Sequence, residues 1–285
     1  MAMVFSIEQA RSVGLAGLRL CAPADAAARA SFLCRSANIR AAARRAQCGM
    51  SKRLDRKHCE RPANSLLAAL PRQAYSALLP RLTPVSLVFG DVLYEPGATI
   101  PDVYFPGRSM VSLLTVVDGH AALEVGLVGH EGMVGIPLAL GVAVSPVRAL
   151  VQGAGGALQM SAARFRKAFG ASPALQRALN GYTHSLMTQI TQTAACNRFH
   201  RVDARLARWL LMTRDRACSA RFHLTHEFLG HMLGVRRVGV TEAASALHER
   251  GLIDYSRGNI RILDNAGLKA ASCSCYAPLG MPPPR

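Results

Sequence analysis

Residues 223–263 read HLTHEFLGHMLGVRRVGVTEAASALHERGLIDYSRGNIRIL, and the stretch begins with a short amphipathic pattern. Thr225 is a typical helix N-cap, and Gly234 is a typical helix end. Between them, apolar residues recur at the 3.6-residue helical period. These apolar residues are Phe228, Leu229, Met232 and Leu233. The pattern predicts a helix that ends in a tight turn.

A second helix and a hairpin follow this turn. Residues 236–250 form one apolar stripe before Gly251, which ends the pattern. The stripe consists of Val240, Ala243, Ala244 and Leu247. Residues 252–263 then alternate apolar and polar side chains about an Arg257-Gly258-Asn259 turn, which is typical of a β-hairpin. Helix, turn, helix and wing together indicate a protein that reads the major groove of DNA.

The polar side of the second helix predicts contacts with base edges. Arginine can pair with guanine, and glutamate can accept a hydrogen bond from cytosine N4. The predicted DNA-binding residues are Thr225, Arg236, Arg237, Thr241, Glu242 and Ser245.

This segment resembles the C-terminal DNA-binding unit of the cyclic-AMP receptor protein and fumarate-nitrate regulator (Crp/Fnr) family of bacterial transcription regulators. The family's landmarks match, without a gap, Thr225, Gly230, Gly234, Arg237, Val240 and Leu252-Ile253. Val238 stands where relatives often have an acidic residue, so their operator sequence cannot be transferred. The resemblance covers about residues 64–271 and implies double-stranded DNA and RNA polymerase as partners in the cytoplasm.

The charge is concentrated at the two ends of the chain. Of 285 residues, 34 are Lys or Arg and 17 are Asp or Glu, a net charge of +17. Lys and Arg number 12 against 4 acidic residues in residues 1–62, 9 against 6 in residues 63–199, and 13 against 7 in residues 200–285. Basic ends fit a polyanionic partner, and they also fit a solvated surface.

The resemblance and these patterns divide the chain into five parts. Residues 1–62 are a basic extension, interpreted as a disordered tail, as sequence upstream of a true start at Met50, or as an arm that adds non-specific DNA affinity. A sensor domain (63–170), a dimerisation helix (171–200), a winged helix-turn-helix domain (201–271) and a tail (272–285) follow. The expected fold class is α+β, with an N-terminal jelly-roll-like β-roll.

The eight cysteines are widely spaced in a chain without a secretory signal, which indicates reduced thiols in the cytoplasm. No run approaches the roughly 20 apolar residues of a membrane span, so no membrane partner is expected. Four cysteines lie in the extension at separations of 13, 14 and 11 positions, unlike the compact motifs of iron–sulfur proteins. They are Cys21, Cys34, Cys48 and Cys59.

Residues 64–80 predict a short helical lead-in capped by Asn64, and residues 85–160 change to short β-rich runs separated by Gly and Pro. These runs predict a small sandwich or barrel. The resemblance implies that this domain is a β-roll that holds an effector.

The effector cassette departs from that of the cyclic-nucleotide-binding relatives. Their Gly-Glu pair binds the ribose and an arginine binds the phosphate, whereas here Gly135 is followed by Ile136, and Arg148 is the candidate arginine. We therefore expect no cyclic nucleotide and predict no cofactor. The interpretation that the sequence favours for Arg148 is a surface or edge-strand residue. The identity of the effector stays open: the β-roll could hold another small ligand, a haem, an iron–sulfur group or no ligand. Three histidines are haem ligands only in principle: His120, His130 and His184.

A long amphipathic helix is predicted from Ser172-Pro173 to about residue 197. Its apolar seam consists of Leu175, Leu179, Tyr182, Leu186 and Ile190. The seam alone indicates intramolecular core, but the resemblance implies a homodimer interface. A homodimer would bind a palindromic operator with half-sites about 34 Å apart.

The remaining candidate residues indicate neither a catalytic site nor a metal site. Three arginines of the next helix are interpreted as phosphate contacts or as a solvated face: Arg201, Arg205 and Arg208. His226 and His231 are five residues apart, which separates them by about 140° on a helix. Cys273 and Cys275 are too close for ordinary zinc spacing and lack nearby partners in the sequence.

Two rival functions stay open. One is a ligand-binding regulatory module whose helix-turn-helix contacts protein, and the other is an enzyme with a cupin-like β-roll. The enzyme would need clustered metal ligands within residues 85–160, which the sequence does not show.

Overall fold

The structure is a computed structural model that describes residues 63–115, 122–217, 219–256 and 258–276. All of them belong to one structural unit, Lys52–Arg285. The predictions for the basic extension with its four cysteines and Met50, for His120, for Arg257 and for residues 277–285 lie outside the described residues.

A helical lead-in opens the described part. α1 (Ser65–Ala68) begins at Asn64, whose Oδ1 accepts a hydrogen bond from Leu67 N at 3.0 Å. The Asn64 amide also donates to the carbonyl oxygens of Pro106 and Gly132, at 2.9 and 2.8 Å. α2 (Arg72–Leu78) and a 3-10 helix (Leu79–Arg81) follow. The predicted cap is confirmed, and the same side chain attaches the lead-in to the sheets.

Between residues 83 and 161, the described residues contain seven strands that form two antiparallel sheets. They are β1 (Thr83–Leu87), β2 (Val92–Tyr94), β3 (Asp102–Pro106), β4 (Met110–Thr115), β5 (Leu123–Val128), β6 (Arg148–Gly153) and β7 (Gly155–Ser161). The first sheet has the order β1-β7-β3 and the second the order β2-β6-β4-β5. Residues from both sheets share one core, including the fully buried Val103, Phe105, Val111 and Val151. The predicted N-terminal β domain is confirmed.

Two helices follow the sheets. α3 (Ala162–Ala171) is capped by Ser161, and α4 (Pro173–Phe199) is capped by Ser172. Ser172 Oγ accepts from Leu175 N at 3.3 Å, and proline occupies the first turn, where its missing N–H is not needed. The long helix therefore begins where the sequence predicts it.

The predicted dimer seam of α4 needs a correction. Four of its five side chains are at most 7% exposed and pack into the core of their own chain. They are Leu175, Leu179, Tyr182 and Leu186. Ile190, in contrast, is 36% exposed. These four residues are not available to a second chain, because their apolar surface is already buried against the sheets.

The C-terminal part contains the predicted helix-turn-helix and wing. Its elements are α5 (Val202–Ala217), β8 (Arg221–His223), α6 (His226–Leu233), α7 (Arg237–Glu249), β9 (Ile253–Ser256), β10 (Asn259–Ile262) and α8 (Asn265–Ala271). β9 and β10 are the predicted hairpin, and β8 completes a sheet in the order β8-β10-β9. β8 was not predicted because three residues are too short a run to establish alternation.

Within the described ranges, no helix combines the length and the hydropathy that crossing a bilayer requires. α4 is long enough, at 27 residues, but it is amphipathic.

Candidate nucleic-acid interface

The turn between α6 and α7 depends on a cap and on two glycines. Thr225 Oγ1 accepts from Phe228 N at 3.1 Å and starts α6, and Gly234 ends it with φ of 61°. A Cβ at Gly230 would lie 2.9 Å from Val235 O, so a side chain there would push the turn away from α6. The Gly230 and Gly234 landmarks therefore have a direct steric reason.

α7 presents one buried and one exposed side. Its buried side chains are those of the predicted apolar stripe, Val240, Ala243, Ala244 and Leu247. The exposed residues include Arg237, Thr241, Glu242 and Ser245, which fall within an arc of about 140°, and Arg236, the N-cap. The structure brings together on one accessible surface the predicted base-contacting residues of the second helix; Thr225 is exposed at the start of α6.

Thr241 is held by neighbouring groups of the protein. Its hydroxyl donates to Arg237 O at 3.1 Å, so His226 Nδ1, 2.9 Å away, donates its proton to Thr241 Oγ1. The His226 ring stacks on Tyr255, with centroids 4.2 Å apart. Burial, followed by the charge of Arg237, lowers the pKa of His226, which favours the neutral form of this ring. The proton of the Thr241 hydroxyl is consequently already used within the protein, although the side chain is exposed.

The wing carries basic residues that sequence reasoning missed. Arg221 on β8 and Arg261 on β10 are exposed and occupy directly opposite positions on these neighbouring strands. Arg261 Nη2 lies 3.7 Å from Asp254 Oδ2 on β9. This ion pair is weak, because both side chains are exposed and solvent screens their charges. Arg261 lay within the predicted hairpin, but its partner Arg221 could be found only through the unpredicted strand β8.

Two of the three arginines considered for phosphate contacts are buried instead. An Arg205 amino group donates to Asn197 Oδ1 at 2.8 Å and to Leu233 O, which connects α5 to α4 and to the end of α6. Arg208 donates to Thr193 Oγ1 and to Cys275 O, both at 3.2 Å. Both predicted alternatives, phosphate contact and solvated face, are wrong for Arg205 and Arg208, because each is only 7% exposed.

The predicted effector residues occupy different surroundings. Gly135, with φ of 102°, precedes a 3-10 helix (Ile136–Leu140), and a Cβ there would lie 3.0 Å from Val103. Ile136 and Leu138 are buried. Arg148 Nε donates to Glu95 Oε2 at 2.9 Å, in a partly exposed ion pair. The position of the relatives' glutamate is therefore part of the apolar core, and the candidate arginine has an acidic partner from its own chain.

A buried carboxyl group connects the β2-β6-β4-β5 sheet to α5. Glu124 on β5 accepts from Ser112 Oγ at 2.6 Å and from Trp209 Nε1 at 2.8 Å. Burial raises the pKa of Glu124 to about 7, although both hydrogen bonds and the charges of Arg216 and Arg208 oppose this effect. Arg216 adds a second connection, because its Nε donates to Glu131 Oε1 at 2.8 Å. The sequence contained no local signal for either contact.

Cys273 and Cys275 lack nearby partners in the sequence but have two in the structure. Cys196 near the end of α4 and His200 at its C-cap lie beside them, and the four ligand-type atoms are within 4.8 Å of one another. The sequence could not reveal this group, because 77 positions separate Cys196 from Cys273. His226 and His231, in contrast, are not part of it.

Comparisons with known proteins agree with this architecture. Residues 204–271 match the family described as the Crp-like helix-turn-helix domain. No sequence among the curated proteins matches the chain.

Solved structures show a similar fold over about two thirds of the chain. FixK2 from Bradyrhizobium japonicum superposes with a TM-score of 0.59 at 16% identity, covering 68% of this chain and 98% of that one. TTHB099 of Thermus thermophilus, a transcriptional regulator of the CRP family, has a TM-score of 0.58 at 17% identity over 68% and 100% of the two chains. TTHA1359 of the same organism, a CRP/FNR-family transcriptional regulator, has a TM-score of 0.54 at 21% identity over 67% and 98%.

Proposed function

We propose that this chain, which carries a Crp-like helix-turn-helix domain on the fold of Crp/Fnr regulators, is a transcription regulator that binds a palindromic DNA operator as a homodimer. The observation that carries the proposal is the exposed polar side of α7.

The recognition surface is chemically suited to the major groove. Arg236 and Arg237 lie at the N-terminal end of α7. In helix-turn-helix proteins, the N-terminal residues of the recognition helix contact base edges. Arginine pairs with guanine O6 and N7, and Glu242 can accept from cytosine N4. The methyl group of Thr241 can contact the methyl group of thymine. The surface therefore offers different chemistry to different bases, which sequence-specific binding requires.

The wing supplies charge for the DNA backbone. Arg221 and Arg261 are exposed on neighbouring strands beside the helix-turn-helix. Phosphate contacts position a protein on the duplex without reading its sequence. We assign these two arginines to that role.

We assign dimerisation to the outer side of α4, in place of the buried seam. Thr183, Met187, Ile190 and Ala194 recur at alternating four- and three-residue steps, the spacing of a coiled-coil seam. Met187 is 63% exposed, which is unusual for an apolar side chain in the middle of a long helix. The proposed homodimer requires that a two-fold axis along this side place two α7 helices in successive major grooves, about 34 Å apart.

The proposal assigns no cyclic nucleotide to the sensor domain. Ile136 is buried where a ribose acceptor would be needed, and Arg148 already pairs with Glu95. A ribose hydroxyl left without an acceptor would cost about 1–3 kcal/mol. Isothermal titration with cyclic AMP and cyclic GMP tests this assignment, and micromolar binding would contradict it. Contact with RNA polymerase stays a prediction from the family resemblance.

The experiment that tests DNA binding is selection of duplexes from a random-sequence library by the purified full-length protein. We expect a palindromic site, bound at least about a thousandfold more tightly than a scrambled duplex of the same composition. Fluorescence anisotropy across a salt series should show log K falling linearly with log salt.

Three results of these experiments would contradict parts of the proposed function. Equal binding of recovered and scrambled duplexes would remove sequence-specific recognition. Absence of any salt-dependent DNA binding would favour a helix-turn-helix that contacts protein. Recovery of a single, unpaired half-site would support DNA binding but contradict the proposed homodimer.

A further inference from the structure

We propose that Cys196, His200, Cys273 and Cys275 form a structural zinc site at the joint between the long helix α4 and the DNA-binding domain. The site does not depend on the function proposed above.

The four residues converge from two distant segments. Cys196 and His200 are four positions apart at the end of α4, which places them on the same side of the helix. Cys273 and Cys275 follow α8 in a turn closed by a hydrogen bond from Tyr276 N to Cys273 O at 3.0 Å. Cysteine thiolates and imidazole are the ligands that structural zinc prefers, and three cysteines with one histidine are a common set.

Two of the six distances between the ligand atoms match those around a single metal ion, and all six are within 4.8 Å. A tetrahedral zinc ion with bonds of about 2.3 Å to sulfur and 2.0 Å to nitrogen separates its ligand atoms by about 3.5–3.8 Å. Cys196 Sγ and Cys273 Sγ are 3.4 Å apart, and Cys275 Sγ and His200 Nδ1 are 3.5 Å apart. An iron–sulfur cluster would need more widely separated ligands, because several iron and sulfide atoms would lie between them.

The distance between Cys196 Sγ and Cys273 Sγ is also too long for a disulfide bond. A disulfide requires two sulfur atoms about 2.05 Å apart and leaves the other ligands unused. Here a third thiol and an imidazole lie in the same group, within 4.8 Å of all the others. A metal ion accounts for all four groups at once.

The surrounding residues hold the site and balance its charge. Zinc with three thiolates and one neutral imidazole carries a single net negative charge. The Arg208 guanidinium donates to Cys275 O at 3.2 Å and supplies a positive charge beside the thiols. Tyr276 Oη donates to Asp215 Oδ2 at 2.8 Å, which holds the turn against α5. The second half of the site is thus attached to the DNA-binding domain.

The site therefore connects two parts of the molecule. α4 ends at Phe199, and α5 begins at Val202. Zinc would join the end of α4 to the segment after α8, the last helix of the helix-turn-helix domain, and would restrict the angle at this joint.

The primary test measures zinc in the untagged full-length protein, purified with a phosphine reductant and dialysed extensively. We expect about one zinc per chain by mass spectrometry of the elements. Zinc-edge X-ray absorption of this unaltered protein should show three sulfur atoms and one nitrogen around the metal. This measurement does not require a variant to fold.

Variants then identify the ligands. Cys273→Ser, Cys275→Ser and His200→Ala should each lose most of the zinc. Ser274→Ala, exposed between the two cysteines, and His184→Ala, exposed on α4, are matched controls that should retain it. Circular dichroism checks that each variant has the helix content of the parent protein. Zinc removal by a chelator should lower the Tm of the parent and leave the Tm of a folded, zinc-free Cys273→Ser variant unchanged.

Several results would overturn the zinc site. They are substoichiometric zinc in the parent protein, a shell of four sulfur or mainly oxygen ligands, full zinc retention in a Cys273→Ser, Cys275→Ser double variant, and a Cys196–Cys273 disulfide in place of metal. None of these measurements involves DNA, so failure of the zinc site and failure of the proposed function can be told apart.

Discussion

Helix α7 and the 3-10 helix Ile136–Leu140 begin in similar ways and end with opposite surfaces. Each follows a turn with a left-handed glycine, Gly234 with φ of 61° and Gly135 with φ of 102°. α7 then exposes charged and hydroxyl side chains, whereas the 3-10 helix buries Ile136 and Leu138. Glycine preserves the backbone shape in both places, but the side chains that follow determine whether a polar ligand can bind.

Polarity in the sensor sheet is concentrated elsewhere. Ser112, Glu124 and Gln152 form a buried polar group, and Glu124 is connected to Trp209 of α5. A cavity of about 20 Å³ lies beside Glu124, Gln189 and Cys196, where the sheet meets α4 and α5. The apolar 3-10 helix is therefore part of the core, whereas the polar group around Glu124 connects the sheet to α5.

The largest effect is expected from restoring a carboxylate in the cassette. Ile136→Glu should destabilise the protein by about 3 kcal/mol or more, because it places an unpaired charge at a position only 7% exposed. Urea denaturation monitored by circular dichroism measures the change. Leu140→Glu, on the same 3-10 helix but 62% exposed, should stay within about 0.5 kcal/mol of the parent. Unchanged stability together with new cyclic-nucleotide binding in Ile136→Glu would mean that the cassette is an open pocket.

The second effect is a pH dependence from Glu124. Its pKa rises from the ordinary value of 4.5 to about 7 on folding, so the folded protein binds more protons than the unfolded chain between these values. Its stabilising contribution is complete below pH 4.5 and is lost as pH rises to about 7, a change of about 3 kcal/mol at most. The charges facing it are those of Arg208 and Arg216, which limit the rise.

Glu124→Gln should remove this slope while retaining a hydrogen-bond acceptor for Trp209. Unfolding free energies from pH 4.5 to 8 measure the difference between variant and parent, which isolates Glu124 from all other groups. Glu249→Gln, exposed at the end of α7, is the control and should leave the slope unchanged. Parallel pH profiles for Glu124→Gln and its parent would show that this carboxyl group ionises normally.

The third effect concerns the exposed side of α7. Arg237→Ala should weaken binding to the selected operator by about 1–3 kcal/mol without changing dimerisation or the free energy of unfolding, because the side chain is exposed in the free protein. Anisotropy titrations at one fixed salt concentration give the affinities. Arg250→Ala removes the same charge at the far end of the helix and should have a smaller effect. Equal losses for the two variants would indicate non-specific attraction rather than base reading.

The smallest effect is expected at the cap of α6. Thr225→Ala removes the acceptor for Phe228 N and should lower stability by about 1 kcal/mol, whereas Thr225→Ser retains the hydroxyl and should stay close to the parent. Thermal unfolding of the three proteins provides the measurement. If serine and alanine are equally destabilising, the methyl group rather than the cap hydrogen bond is important.

Local patterns in the sequence were sufficient for much of the architecture. The caps at Asn64, Ser172 and Thr225 and the stop at Gly234 lie where predicted, because capping depends on residues within one turn of the helix end. The apolar stripe of α7 was also predicted correctly, since one side of a helix at a domain surface is buried whatever covers it.

The predictions failed where a side chain's environment depended on distant residues. The α4 seam was correctly recognised as apolar, but only the tertiary structure shows that the sheets, rather than a second chain, cover Leu175 to Leu186. Arg205 and Arg208 have the composition of a phosphate-binding surface, yet their partners on α4 and after α8 enclose them.

Sequence alone determined the helix-turn-helix, its wing hairpin and the exposed polar side of α7, because periodicity, caps and turn glycines act over a few residues. Tertiary structure alone decided which side of α4 is free, where Glu124 is buried, and which residues meet Cys273. Those contacts join segments up to 85 positions apart, and no local pattern encodes which distant surfaces pack together.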